Sequence, residues 1–270
     1  MKNLFFKLLI PCIFVCCSPD KKLKEDNIEL HISDRLIAHG GGMIDGHTYT
    51  NSLEALDLSY SMGCKLFELD IIQTSDGKFV SAHDWKHFKK ITDYQGAIDD
   101  EALSQKEYLS LKIFDKYTPM NMPLINDWFM AHKDATLVTD KVNTPKEFTG
   151  EGGFLFKERL IMELFSWEAV KEAIETGITP MVSENLIFAE ADSIIEKKLA
   201  GMNIQYTGIS RQRIEANKDF LIRLKEKGVK TFVFHVNFGK QYDEQYVWEN
   251  EMQYIYGMYA DKLDLLQEQK

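Results

Sequence analysis

Cysteine is nearly missing from the body of this 270-residue chain. Of four cysteines, Cys12, Cys16 and Cys17 sit at the extreme N-terminus and only Cys64 lies beyond it. A disulfide framework is therefore excluded, and Cys64, one residue before a predicted strand, is expected to be a small buried residue. Positive charge is also short: 32 Lys and Arg stand against 42 Asp and Glu, a net charge of −10. That argues against a nucleic-acid binder, which usually carries a basic face. It does not exclude an anionic substrate, because a bound divalent cation reverses the local sign. Long apolar runs are lacking too. The N-terminal one, residues 8–17, is too short to span a bilayer. Neither an internal repeat nor a low-complexity segment divides the chain.

What is present begins with a targeting pattern. Lys2 and Lys7 precede the apolar run, no acid occurs before Asp20, and the run ends in Cys16-Cys17-Ser18. This resembles a bacterial lipoprotein signal, which is cut before a cysteine that then carries lipid. The resemblance implies a signal peptide over 1–17 with Cys17 as the lipidated residue, Cys16 being the alternative. It also implies a charged tether over 18–34, a folded domain over 35–270 and a place in the bacterial cell envelope, on a lipid anchor in the membrane. With 44% hydrophobic residues, the body is long enough for one large core.

Short apolar runs alternating with helical patterns predict a β/α fold. Strands are expected over 36–39, 65–72, 135–141, 159–165, 178–183, 204–209, 229–236 and 254–259. Helices are expected over 52–62, 167–176, 189–199, 216–227 and 242–250. Asn51 with Glu54 reads as a capping box for the first helix. Gly201 and Gly228 read as helix C-caps. Eight strands in about 235 residues predict an α/β fold of the (β/α)8 TIM-barrel type. The interval from Asp84 to Asp134 is too long for one β/α unit, so an insertion follows strand 2. Its Trp85, Phe88, Tyr94 and Trp128 would line a cleft or fill a core.

The second strand carries the chemistry. Along KLFELDII, Phe67, Leu69 and Ile71 share one face, and Glu68 and Asp70 the other. Carboxylates roughly 6–7 Å apart on one face repel unless a cation or a shared proton lies between them. The turn Ser75-Asp76-Gly77 then leads to His83-Asp84. Barrel sites sit at the C-terminal ends of strands, where His39, Glu68, Asp70 and Asp140 all fall. Three carboxylates without a thiolate suit one hard divalent cation, Mg2+ or Ca2+. His235, with Asn237, ends the seventh strand, and Glu163 lies on the fourth. Of these only His235 is taken as a substrate contact.

The ordered set Ile37-Ala38-His39-Gly40-Gly41, Thr50-Asn51-Ser52, Gly63, Glu68-x-Asp70, Thr74-x-Asp76-Gly77 and His83-Asp84 resembles the glycerophosphodiester phosphodiesterase family of phosphodiesterase barrels related to phosphatidylinositol phospholipase C. The likeness extends over 36–263. It implies that His39 and His83 are an acid–base pair, that Glu68, Asp70 and Asp140 are metal ligands, and that Lys141 touches phosphate. The implied activity is hydrolysis of glycerophosphodiesters to sn-glycerol 3-phosphate and an alcohol. A phospholipase of the C or D type and a degenerate barrel that binds an envelope ligand are the alternatives. The implied partner is a small or lipid-derived phosphodiester, with no nucleic acid and no obligate protein partner. Three departures stand out. Gly40 replaces an arginine, Thr50 replaces an acid, and Lys141 directly follows Asp140 where the family places lysine two residues after a glutamate. The run Gly40-Gly41-Gly42 could offer backbone N–H groups to a phosphate in compensation.

Overall fold

The computed structural model describes residues 31–237, Gly239 and 241–267, and the fold is built from these. The expected signal peptide, Cys17 and most of the expected tether lie outside them. The tether's last residues, Ile32–Asp34, form a 3-10 turn with Ile32 in the core, so the folded body already includes them.

Strand β1 (Leu36–Ala38) leads through a tight turn to helix α1 (Leu53–Ser61) and strand β2 (Leu66–Gln73). An excursion follows: β3 (Phe79–Ser81), α2 (Trp85–Ile91), α3 (Gln105–Ser110) and α4 (Met122–Ala131). Regular alternation then resumes with β4 (Thr136–Asp140), α5 (Pro145–Phe148), β5 (Leu160–Leu164) and α6 (Trp167–Thr176). It continues through β6 (Thr179–Ser183), α7 (Glu184–Ile187), α8 (Asp192–Gly201), β7 (Tyr206–Ser210) and α9 (Ile214–Glu226). The last elements are β8 (Lys230–Phe234), α10 (Glu244–Asn250) and β9 (Gly257–Ala260). Every strand except β3 pairs in parallel with the next, and β1 pairs with both β2 and β9. The sheet therefore closes into the expected eight-stranded barrel. No described helix is long and apolar enough to cross a membrane.

Alternation along each strand sorts the side chains into two cores. Phe67, Leu69 and Ile71 of β2, with Leu137 of β4 and Met162 of β5, face the surrounding helices. Ile37, Val138, Ile161, Met181, Phe232 and Tyr259 fill the barrel. Such filling makes the interior a packed core with its polar layer at the top. Cys64 is fully buried, as expected, and burial pushes its thiol up to about 11.

Local caps differ from the sequence reading. Ser52, not Asn51, caps α1 by accepting the Ala55 N–H, while Glu54 accepts from the Thr118 N–H and hydroxyl. Asn51 is drawn away because its amide is tied to Asp70. Gly228, at φ +81°, follows α9 as expected. Gly201 is the last residue of α8, and Asn203 takes the left-handed conformation after it.

The insertion forms a lobe with its own core, in which Trp85, Phe88 and Tyr108 pack together, and Tyr94 packs against it. Trp128, on α4, belongs to the main core. These aromatics are therefore core residues. The lobe is fastened to β2: β3 pairs with it antiparallel, the Ala82 N–H donates to the Asp70 carbonyl at 2.9 Å, and the Ser81 hydroxyl donates to the Asn51 carbonyl at 2.8 Å. His83 is two residues beyond Ser81, so this pairing delivers it to the barrel mouth.

Candidate active site

Parallel register places the acids. Glu68 pairs with Val138 and Asp70 with Asp140, so the carboxylates of β2 and β4 share one inward row at the strand ends. Oxygen atoms of Glu68, Asp70 and Asp140 all lie within 4.8 Å of one another. Glu68 and Asp70 are only 3% and 4% exposed. Burial, then Asp70 and Asp140, hold the Glu68 carboxyl well above its ordinary value. Burial and then Asp70 do the same for Asp140.

Three close acids in a dry place need positive charge. Lys141 supplies part of it, with Nζ 3.1 Å from Asp70 Oδ1. A second of its three N–H donors goes to the His83 carbonyl, 2.5 Å away. One ammonium against three carboxylates leaves a deficit, and Asp140 Oδ1 is buried with no hydrogen-bond partner among the described residues. An orphaned carboxylate oxygen within this triad fits a hard divalent cation, and oxygen-only donors suit Mg2+ or Ca2+.

Two histidines flank the triad, each held by a carboxylate. His39 Nδ1 lies 3.0 Å from Asp261 Oδ1, and His83 Nδ1 lies 2.5 Å from Asp84 Oδ2. A carboxylate accepts, so each Nδ1 carries the proton and Nε2 is left available to a substrate. Asp84 also accepts the His87 N–H as the cap of α2. Burial opposes its charge, yet that bond and His83 hold its carboxyl below the ordinary range. Asp261 is steadied in turn by Asn237, whose amide donates to Oδ2 at 3.0 Å, and by its own N–H, which donates to Glu244.

The glycine run does not offer an open nest. Gly40 N–H donates to Glu68 Oε2 at 2.6 Å, and Gly42 N–H donates to the His39 carbonyl. These bonds orient Glu68 and close a turn, so the Gly40 and Gly42 N–H groups are taken up within the protein, which corrects the expectation of a phosphate cradle. Thr50 is buried, its hydroxyl bonded to Ser52, and takes no part in the acid cluster.

His39, Glu68, Asp70, His83, Asp140 and Lys141 therefore surround one cavity of about 320 Å³, and His235 lies on its rim. The far wall holds Glu163, Ser183 and Phe234. Asp261 is an addition that the sequence reading missed. Its one signal was an acid directly after the last strand, at the catalytic end of a barrel. Tyr49, also on the cavity wall, gave no signal at all. Asn51 has a second role there: its amide accepts the Asp70 N–H and donates to Asp70 Oδ2, fixing that carboxylate from behind.

Glu163 gives a pH test of the barrel interior. It is buried, and that burial pushes its carboxyl from 4.5 up to about 7. A raised carboxyl binds its proton more tightly folded than unfolded. Its stabilising contribution is thus complete below pH 4.5 and is lost as pH rises towards about 7. The displacement corresponds to about 3 kcal/mol. In urea unfolding with EDTA, Glu163→Gln is expected to gain stability over wild type at pH 8 and little at pH 4. An equal difference at both pH values would contradict this assignment.

Known proteins resemble this chain in sequence family and in fold. The sequence pattern of the glycerophosphoryl diester phosphodiesterase family matches residues 42–179. No curated protein matches the chain. Among solved structures, a glycerophosphodiester phosphodiesterase from Thermotoga maritima is 19% identical, with a TM-score of 0.63, over 87% of this chain and 97% of that one. A glycerophosphoryl diester phosphodiesterase from Parabacteroides distasonis is 16% identical, with a TM-score of 0.66, over 87% and 85%. An Oleispira antarctica phosphodiesterase, solved in complex with the product sn-glycerol-3-phosphate, is 18% identical, with a TM-score of 0.64, over 87% and 95%. At these identities the likeness to the solved structures is one of fold.

Proposed function

Since the chain belongs to the glycerophosphoryl diester phosphodiesterase family and is a phosphoric diester hydrolase, we propose that it cleaves glycerophosphodiesters to sn-glycerol 3-phosphate and an alcohol, with His39 and His83 moving the protons. The observation that carries this reading is the pair of Asp–His couples on either side of the acid triad. A phosphodiester resists attack because it is anionic and its alkoxide is a poor leaving group. One histidine Nε2 removes the proton of the attacking hydroxyl, and the other protonates the departing oxygen. Asp261 and Asp84 fix each ring and stabilise whichever imidazole is charged. A divalent cation held by Glu68, Asp70 and Asp140 would offset charge on the phosphoryl oxygens. Lys141 orients Asp70 and tethers the His83 loop to β4 through the same ammonium. His235, in the left-handed region at φ +56°, lines the same cavity, which supports its assignment as a substrate contact.

Assays on a panel of glycerophosphodiesters and phospholipids, with Mg2+, Ca2+ or EDTA, test the reading directly. EDTA is expected to abolish turnover, and His39→Ala and His83→Ala each to lower kcat by about 100-fold or more. Unchanged activity in both variants would overturn the histidine roles. Product analysis separates a glycerophosphodiesterase from phospholipases of the C and D types, according to which fragment keeps the phosphate.

The N-terminal pattern adds a location to the proposal: Cys17 bears lipid and holds the barrel at the cell envelope. Support comes from the basic, apolar and cysteine segments of the sequence alone. Cys17→Ser is expected to move the protein from the membrane fraction to the soluble fraction and to end fatty-acid labelling. A wild-type protein without label would refute the anchor.

A further inference from the structure

Phosphate recognition in this cavity lacks an obvious cationic partner. Lys141 is the only lysine or arginine among the described residues that line it. That ammonium is already engaged by Asp70 and the His83 carbonyl. The position after His39 cannot supply another. Gly40 sits at φ +55°, and a Cβ added there would lie 2.9 Å from the Cα of Tyr49. The backbone of Tyr49 occupies the space where a longer side chain would begin.

Tyr49 itself is placed at a cost. Its φ of +55° puts a bulky residue in the left-handed region, and Asn51 two residues later repeats this at +51°. Such conformations persist where surrounding contacts enforce them, and they cluster at functional sites. Here the contacts are the Asn51 N–H to the Gly40 carbonyl, and the Asn51 amide to Asp70. The result is a phenol ring standing between the two histidines. Its centroid lies 4.5 Å from that of His39 and 5.1 Å from that of His83, edge-on to both. The ring borders the main cavity and the adjoining one that continues toward Asp261. Its hydroxyl has no hydrogen-bond partner among the described residues. Burial and the nearby acids Asp261, Asp70, Glu68 and Asp140 push its ionisation upward, so it stays a neutral donor at any working pH.

We propose that the Tyr49 hydroxyl donates a hydrogen bond to a non-bridging oxygen of the phosphoryl group while that group lies in the cavity lined by Tyr49, His39 and His83. A neutral donor suits this position. It meets developing negative charge without adding a cation to compete with a metal ion for the carboxylates. The inference rests on the reading of His39 and His83 as the proton-transfer pair, and it adds a substrate-touching residue to them.

Tyr49→Phe keeps the ring and its edge contacts and removes only the donor. Two measurements are needed, both in Mg2+ buffer: turnover of a glycerophosphodiester, and calorimetric binding of inorganic phosphate. With thermal unfolding unchanged, the variant is expected to lose about 10- to 100-fold in kcat and about 10-fold in phosphate affinity, as for loss of one hydrogen bond to a charged group. A variant that matches wild type in both turnover and phosphate binding overturns the inference and leaves the function intact. If wild type turns over no phosphodiester yet the variant still binds phosphate more weakly, the functional reading fails and the Tyr49 assignment stands. Absence of phosphate binding by wild type also overturns the assignment.

Discussion

Glu68→Gln is expected to make the cation-free protein more stable and the enzyme inactive. The two effects have one cause. Glu68 is buried beside Asp70 and Asp140, and burial followed by those two charges raises its carboxyl well above the ordinary range. An amide at this position still accepts the Gly40 N–H and removes one of three mutually repelling acids. In EDTA at neutral pH, a gain of about 1–3 kcal/mol is expected, the usual size for relieving a badly solvated polar group. Raised carboxyls also set the sign of the pH dependence. With Glu68 and Asp140 both displaced upward, their contribution to the stability of the cation-free protein is complete below the unfolded carboxylate range and is lost as pH rises through the raised values. The variant should show a shallower decline.

Adding Mg2+ reverses the ranking. A ligand bound only by the folded state stabilises it in proportion to the logarithm of its concentration over Kd. Wild type should gain in unfolding temperature with added cation, and Glu68→Gln should not. With the proposed cation gone, several kcal/mol of transition-state stabilisation is expected to go with it, so kcat/KM should fall by about 1000-fold or more. Thermal unfolding of both proteins, with EDTA and with Mg2+, reads all of this. A variant less stable than wild type in EDTA would show that the triad is not under electrostatic strain.

The second large effect concerns Gly40, where the resemblance implied an arginine. Restoring that arginine is expected to damage the protein. Gly40 has φ +55° and ψ +31°, left-handed values that cost a side-chain-bearing residue about 1–2 kcal/mol. The added Cβ would also meet the Tyr49 backbone at 2.9 Å, and backbone cannot swing aside as a flexible side chain would. Together these predict that Gly40→Arg lowers stability by about 2–4 kcal/mol without raising activity. Gly40→Ala carries the same Cβ and should lose nearly as much, which isolates the backbone as the cause. Urea unfolding of the two variants decides it. A stable, more active Gly40→Arg would mean that the Tyr49 segment moves.

Residues near in sequence and regular in pattern were legible without coordinates. Alternation along β2 already separated Phe67, Leu69 and Ile71 from Glu68 and Asp70, because a strand puts successive side chains on opposite faces. Eight apolar runs at β/α spacing gave the barrel, and the barrel's geometry required His39, the two acids and Asp140 to converge. What stayed hidden depends on three-dimensional adjacency or on backbone conformation. Asn51 looks like a helix cap, but Asp70 lies closer to its amide, so Ser52 caps instead. Asp261 meets His39 only because β9 closes against β1, a contact across 222 positions. The glycine run looked like an anion cradle until Gly40 turned its N–H to Glu68.

The sequence by itself determined the acid pair, its strand and its need for positive charge. These follow from residue type and a two-residue period. The tertiary structure alone decided which groups face the space beside the two histidines. It filled the space before Gly40 with the Tyr49 backbone, committed Lys141 to Asp70 and the His83 carbonyl, and stood a phenol between two histidines that are far apart in the chain. Positive φ suits Asn51 locally but not Tyr49, whose conformation goes with the hydrogen bonds that hold Asn51 to Gly40 and Asp70, and no pattern of side chains announces it.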